Sequence, residues 1–150
     1  MRIVIQRCYD ASVSVNGQIV GKINKGIMIL VGFTKGDNEQ ILNKMAYKTA
    51  NMRIFEDGNS KMNKNLKAIN GDVLSISQFT LYANNKNGHR PSFTEALDFD
   101  NAYNLYNKFN EILEKEYGLK VEKGTFGADM KVSLLNDGPF TILLDSTEIC

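Results

Sequence analysis

The chain has 150 residues, 43% apolar and 23% charged, with 18 basic against 17 acidic side chains. That length supports one domain with its own core, and the near-zero net charge excludes broad electrostatic attraction to nucleic acid or an anionic membrane, so any RNA contact has to be local. No apolar run approaches the roughly 20 residues that span a bilayer, the start "MRIVIQRCYD" reads as a strand rather than a signal peptide, and Cys8 and Cys150 lack metal-binding spacing, which fits a reducing cytosol.

Residues 2–9 and 12–16 alternate polar with apolar, and Asn16-Gly17 offers a type I′ turn that returns the chain through "QIVGKI". The continuous apolar run "GIMILVGF", Gly26 to Phe33, predicts a buried strand. Asp37 with Gln40 forms a capping-box pattern, and Ile41, Leu42, Met45 and Thr49 share one face of a helix near 38–50. "MRIF" at 52–55 predicts a short strand, followed by a polar loop to about Gly71 that carries Lys61, Lys64 and Lys67. "DVLSISQFTLYA", Asp72 to Ala83, is rich in β-branched and aromatic residues and predicts a long central strand. A second loop carries Lys86, His89 and Arg90, and like the first it reads either as a solvated loop or as a local RNA contact.

Helical spacing returns at Asn101–Tyr117, with Ala102, Leu105, Tyr106, Phe109, Ile112 and Leu113 on one face and Gly118 as the stop. Strands around 120–123, 131–136 and 140–145 complete the chain. This order predicts a single α/β (α+β) domain over 1–150, a curved, barrel-like, mainly antiparallel or mixed sheet with two main helices on one side. Strands near the end leave edges to protect, and dimerisation is a common way to do it.

The stretch "LLNDGPFTILL", Leu134 to Leu144, interrupts a strand-like run with Gly138-Pro139. One reading is a hairpin turn, in which Asn136, Asp137 and Gly138 tolerate positive φ and Pro139 starts the next strand at an edge. The other makes the Gly-Pro backbone itself the functional group. The single histidine, His89, lies in a Gly/Asn-rich loop and is a poor candidate for a triad base; no HExxH, P-loop or GxGxxG is present, and Asp129 reads best as a loop cap. What remains is "SQFT", Ser77-Gln78-Phe79-Thr80. On a strand Ser77 and Phe79 face one way and Gln78 and Thr80 the other. One reading is a strand running from core to rim with its hydroxyls bonded to backbone. The other uses Gln78 and nearby N–H groups to polarise a carbonyl and Thr80 to bond a substrate, with no base named for a Thr nucleophile.

"SQFTLYA" (77–83), "GHRPSF" (88–93), "FGADM" (126–130) and "NDGPFT" (136–141), with the N-terminal "QRCYDASVSVNG" and "GIMILVGFTKGD", resemble the motifs of D-aminoacyl-tRNA deacylases over nearly the whole chain. The resemblance implies hydrolysis of the ester between a D-amino acid, or glycine, and the terminal adenosine of tRNA, in a homodimer with its active sites at the subunit interface. It assigns catalysis to Ser77, Gln78, Phe79 and Thr80, and rejection of L-substrates to a cis Gly138-Pro139 peptide from the partner. It gives adenosine binding to Phe79, Phe126, Gly127, Ala128 and Met130. It implies no cofactor and no metal, with the ribose hydroxyl of the substrate assisting the chemistry. Arg7, within "VIQRC", is a candidate support for the Gly-Pro backbone or else a solvent-facing strand residue. The departures are His89, where a less titratable residue is common, and Thr125, at a variable place. Two alternatives predict different behaviour: a non-catalytic RNA-end-binding dimer, which would protect the ester, and a structural dimerisation domain, which would have no affinity for the acceptor end.

Overall fold

A computed structural model describes residues 1–150. The two N-terminal strands are long: β1 (Arg2–Val15) and β2 (Gln18–Gly32) form one antiparallel hairpin, with an irregularity at Val13/Ser14, around Asn16-Gly17, where the expected two-residue turn occurs with φ of 50° and 76°. The two separate stretches expected in each arm are thus single strands. Helix α1 (Glu39–Asn51) follows, capped by Asn38, whose side chain accepts from the N–H of Ile41. Asp37 is not the cap. Its carboxylate is engaged by the buried Met1 amine at 2.6 Å and by the N–H of Thr34 at 2.8 Å.

Of the expected "MRIF" strand at 52–55 only Phe55 is paired: β3 (Phe55–Glu56) joins β4 (Met62–Lys64) in a small separate hairpin that reaches into the segment expected to be loop. Strand β5 (Asp72–Ser77) ends six residues earlier than predicted, because Phe79–Tyr82 wind into a 3-10 turn. Helix α2 (Phe99–Lys115) starts two residues earlier than predicted, capped by Asp98. It is followed by β6 (Val121–Lys123), the single long strand β7 (Lys131–Asp145) and a terminal turn of helix, α3 (Ser146–Ile149).

The main sheet has the order β6-β5-β2-β1-β7; β5 is parallel to β2 and β6, while β1 is antiparallel to β2 and β7. It is therefore mixed, and one chain leaves two hydrogen-bonding edges, β6 and β7. No helix is long and apolar enough to cross a membrane.

Both faces of the sheet are apolar, which explains the nearly unbroken hydrophobic runs. On one face Ile3, Ile5, Ile27, Ile29 and Val31 pack beneath Leu42 and Met45 of α1 and Phe109 and Leu113 of α2. On the other, Cys8, Ala11, Val13, Ile23, Met28, Leu74 and Ile76 form a smaller cluster. Burial raises the Cys8 thiol to about 11, so it stays protonated, and neither cysteine is in a disulfide.

The Gly-Pro interruption is not a hairpin turn. Between the pairs Gln6–Thr141 and Cys8–Asn136, β1 advances two residues and β7 advances five. The excess is odd, so it reverses side-chain parity: Val132 and Leu134 pack on the smaller cluster, whereas Phe140 and Ile142 pack on the main core. Asp137-Gly138-Pro139 is thus a large bulge at which β7 changes faces. Pro139 lies on an edge strand, where its missing N–H breaks no ladder.

The start and end of the sheet are clamped by Arg2, whose Nε donates to Asp145 at 2.8 Å and whose Nη1 donates to the carbonyl of Leu81. Burial pushes the Asp145 carboxyl up, but the Arg2 hydrogen bond and those from the N–H and hydroxyl of Thr147 outweigh it and hold the group at about 2. A carboxylate lowered from 3.8 in the unfolded chain to about 2 in the folded one stabilises the protein above pH ~4, and that contribution is lost as the pH falls towards 2. Asp145→Asn should flatten the dependence of the urea midpoint on pH between 4 and 2; an unchanged acid limb would show that the clamp contributes nothing.

Candidate active site

Where β5 ends, the N–H of Gln78 still donates to Val31 of β2 at 2.8 Å, but the backbone then turns, with Leu81 bonding back to Gln78 and Ala83 to Thr80. A turn of this kind leaves its first N–H groups without an acceptor inside it. The amides of Phe79 and Thr80 occupy that position, and Gln78 Nε2 donates to Thr80 Oγ1 at 2.5 Å. The strand-based division of "SQFT" into two faces therefore does not hold beyond Ser77. The segment instead offers a cluster of polar side chains and unpaired amides.

Beside it opens a cavity of about 840 Å³ on the second face of the sheet; 16 of its 22 lining residues are hydrophobic, so it suits a flat apolar group better than a charged one. Ile76 of β5 and Leu134 of β7 both line it although β2 and β1 lie between these strands, which shows how strongly the sheet curves. Ser77, Gln78 and Phe79 reach it from one side, and Phe126, Gly127, Ala128 and Met130 from the other. Thr80 does not line it.

Aromatic rings hold this second wall. Phe126 meets Phe99, Tyr103 and Tyr106 of α2 with centroids 5.1, 5.4 and 5.5 Å away. Tyr106 also donates its hydroxyl to the carbonyl of Ser75 at 2.7 Å, tying the helix to β5 two residues before the site. Gly127 has φ 78°, and a Cβ there would lie 2.5 Å from the Phe99 ring, so only glycine lets the backbone close over the aromatic. Phe79 is 57% exposed and packs edge-on to Phe93 at 5.0 Å, leaving one face of the ring free. Sequence reasoning gave no role to Phe93, Phe99 or Leu97, which also line the cavity; Phe93 lay in the quoted "GHRPSF" motif, but Phe99 carried no local signal.

No general base stands here. Asp98 borders the cavity, but hydrogen bonds from the side chain and N–H of Asn101 hold its carboxyl below the usual range, the wrong direction for a base working near neutral pH. Asp129 faces Lys131 at 3.1 Å.

Gly138 and Pro139 are outside the cavity and exposed, and the peptide between them is cis. Asn136 Oδ1 accepts from the N–H of Phe140 at 2.9 Å, and Arg7 Nε donates to the carbonyl of Asp137 at 3.1 Å. Arg7 also donates from Nη1 to the carbonyl of Ile54 at 2.8 Å and lies over the Phe140 ring. With only 13% of its side chain exposed, it is not a solvent-facing strand residue. One chain thus assembles the "SQFT" and "FGADM" motifs around a cavity and holds the Gly-Pro bulge apart from them.

Residues 4–145 match the family described as D-Tyr-tRNA(Tyr) deacylase. The chain belongs to this family. A protein of Lactobacillus acidophilus named D-aminoacyl-tRNA deacylase is 54% identical over 145 residues, covering 97% of this chain and 99% of the relative. One of the same name from Flavobacterium psychrophilum is 51% identical over 146 residues, covering 97% of each. Among solved structures, one titled c-Myc DNA Unwinding Element Binding Protein superposes with a TM-score of 0.90 at 38% identity, covering 97% of this chain and 98% of the other. Another, titled as a probable eukaryotic D-amino acid tRNA deacylase, gives 0.82 at 17% identity over 95% and 97% of the two chains, and at that identity shows the shared fold alone. The deacylase family's mixed sheet with helices is the fold described above.

Proposed function

We propose that this chain is a D-aminoacyl-tRNA deacylase, hydrolysing the ester between a D-amino acid or glycine and the 3′-terminal adenosine of tRNA in the cytosol. The observation that carries the reading is the apolar, aromatic-walled cavity opening directly onto a polar turn that lacks a base. The cavity receives the adenosine, with Phe79 and Phe126 supplying the rings on which single-stranded RNA ends stack. The free amides of Phe79 and Thr80, with Gln78, polarise the ester carbonyl, and Ser77 lines the floor. The vicinal ribose hydroxyl supplies the missing proton-transfer group, so that the protein contributes orientation and fixed dipoles.

Selection for D-substrates needs a wall that one chain does not provide. In this reading two chains pair, and the exposed Gly138-Pro139 bulge of one enters the site of the other, where its carbonyls hold the substrate ammonium and leave no room for an L side chain. The exposed apolar residues Leu135 and Leu143 on edge strand β7, 62% and 60% accessible, support burial of this edge by a second copy. The deciding experiment is a time course on matched D- and L-tyrosyl-tRNA with the purified protein: rapid loss of the D-ester alone is expected, and equal rates or no hydrolysis would overturn the proposal. A second reading is a non-catalytic RNA-end binder; the 38% identical structure is titled as a DNA-element binding protein, which names binding without hydrolysis. Such a binder would protect the D-ester in the same assay.

Thr80 acts by position and not as a nucleophile, because Gln78 is the only side chain bonded to its hydroxyl and cannot take its proton. Thr80→Val should keep deacylation within about a hundredfold of normal, whereas removing a true nucleophile costs on the order of 10⁶. An aminoacyl ester trapped on Thr80, or activity lost with an intact fold, would refute this.

Arg7 holds the bulge through the Asp137 carbonyl. Arg7→Ala should lower D-substrate turnover by about tenfold or more, since ~1.4 kcal/mol of lost positioning is a factor of ten. Melting temperature should fall by only a few degrees, about 2–4 °C per kcal/mol lost in a chain of this size. An unchanged rate would leave Arg7 a structural role only.

A further inference from the structure

The cavity has two rims, and their charges differ. On the 126–131 rim the one cation, Lys131, has a carboxylate beside it, Asp129 at 3.1 Å. The other rim is the Phe79–Phe93 pair. Between these rings the chain leaves the cavity wall and returns to it, closed by reciprocal backbone bonds between Asn84 and Ser92 of 2.8 and 2.9 Å. The excursion holds Lys86, His89 and Arg90, all exposed, and contains no carboxylate. None of the three takes part in an ion pair, while the nearest acid in sequence, Glu95, already accepts from the side chain of Asn84.

We propose that the 84–92 loop is the phosphate-docking surface for the single-stranded RNA segment that leads into the cavity, with Lys86 and Arg90 as its principal contacts. The inference rests on the deacylase reading for the base seated inside the cavity and extends it to the path of the strand outside. A terminal nucleoside between Phe79 and Phe126 must send its 5′ phosphates over one rim. Of the two rims, the Phe79–Phe93 side carries the cations that are in no ion pair, and arginine with lysine supplies both a bidentate fork and a mobile point charge for phosphate oxygens. The other basic group, Lys61, Lys64 and Lys67, lies on and just after the β3–β4 hairpin and lines no part of the cavity. The protein's small net charge makes the local arrangement decisive, since there is no general field to hold RNA.

The test is the affinity of uncharged tRNA as a function of salt, for the unmodified protein, for Lys86→Gln/Arg90→Gln, and for Lys44→Gln/Lys48→Gln, which removes the same charge from the exposed face of α1. The loop variant should bind roughly tenfold or more weakly near 0.1 M salt. Its plot of log affinity against log salt should be shallower by about 1.4–1.8, the loss of two phosphate contacts. The α1 variant should match the unmodified protein, and all three should melt at the same temperature. An unchanged affinity and slope in the loop variant, or an equal loss in the α1 variant, overturns the proposal. Should the unmodified protein bind tRNA through this loop yet hydrolyse no D-ester, the docking surface stands and the deacylase reading falls; hydrolysis with undiminished affinity in the loop variant gives the opposite result.

Discussion

Replacing the 2′-hydroxyl of the terminal adenosine with hydrogen, in a substrate whose D-amino acid is esterified at the 3′ position, is expected to slow hydrolysis by roughly 10²–10⁴, the usual contribution of a positioned proton-transfer group. Binding should change little. The reason is the inventory around the turn at 78–82: Gln78 and Thr80 bond to one another, Asp98 is held in its charged form by Asn101, and Asp129 faces Lys131. No side chain at the turn stands free as a base, so in this proposal the vicinal hydroxyl relays the proton, accepting one from water as it passes its own to the departing 3′ oxygen. Single-turnover rates with ribo- and deoxy-terminated esters would measure the effect. Equal rates would mean that a protein group had been missed, and His89 and Asp129 would be the first to replace.

Gly138→Ala should reduce D-substrate turnover by about a hundredfold, the order of loss that follows a displacement of about 1 Å at a positioning element. Gly138 has φ 142°, and a Cβ there would meet the Phe140 nitrogen at 2.9 Å and its Cβ at 3.1 Å, so the bulge must shift to accept even a methyl group. Gly17→Ala is the control: it places a side chain at φ 76° in the hairpin turn with nothing within 4 Å, so it carries a similar backbone strain far from the proposed site. The control should lose stability and keep its rate. Complementation separates the two ways the bulge could act. If Gly138 serves the partner's site, mixing Gly138→Ala chains with Phe79→Ala chains builds hybrid dimers with one intact site and restores part of the turnover. No recovery on mixing, or full activity in Gly138→Ala itself, would reject the shared site.

Much of the fold is written in local pattern. Asn16-Gly17, the helical spacing of Leu42 and Met45 and of Tyr106, Phe109 and Leu113, and the apolar run at 26–33 each report the backbone around them, because turn sterics and one-sided burial act over a few residues. The family motifs were legible in the same way, as short strings at set intervals. The cap of α1 was misread because Asp37 bonds the buried Met1 amine, a partner 36 residues away. The wall formed by Phe99 was also invisible, since nothing near it in the chain announces that α2 will lay it against Phe126 and Gly127.

Two elements show most clearly where local pattern stops. "DVLSISQFTLYA" has uniform β propensity, yet extension ends at Ser77: Val31 supplies the acceptor for Gln78, and beyond it β2 itself ends at Gly32, leaving no strand for the following residues to pair with. "NDGPFT" reads as a turn when only its own residues are considered. Its role as a parity-reversing bulge depends on β1 running past it, since register belongs to a pair of strands and not to either one. The sequence by itself therefore determined the type of the main helices and strands, the membership of a family and the motifs worth watching. Which strands are neighbours, where β5 breaks to free its amides, and that the Gly-Pro bulge stands apart from the cavity of its own chain were decided by tertiary contacts, because hydrogen-bond partners and packing faces are assigned between segments far apart in the chain.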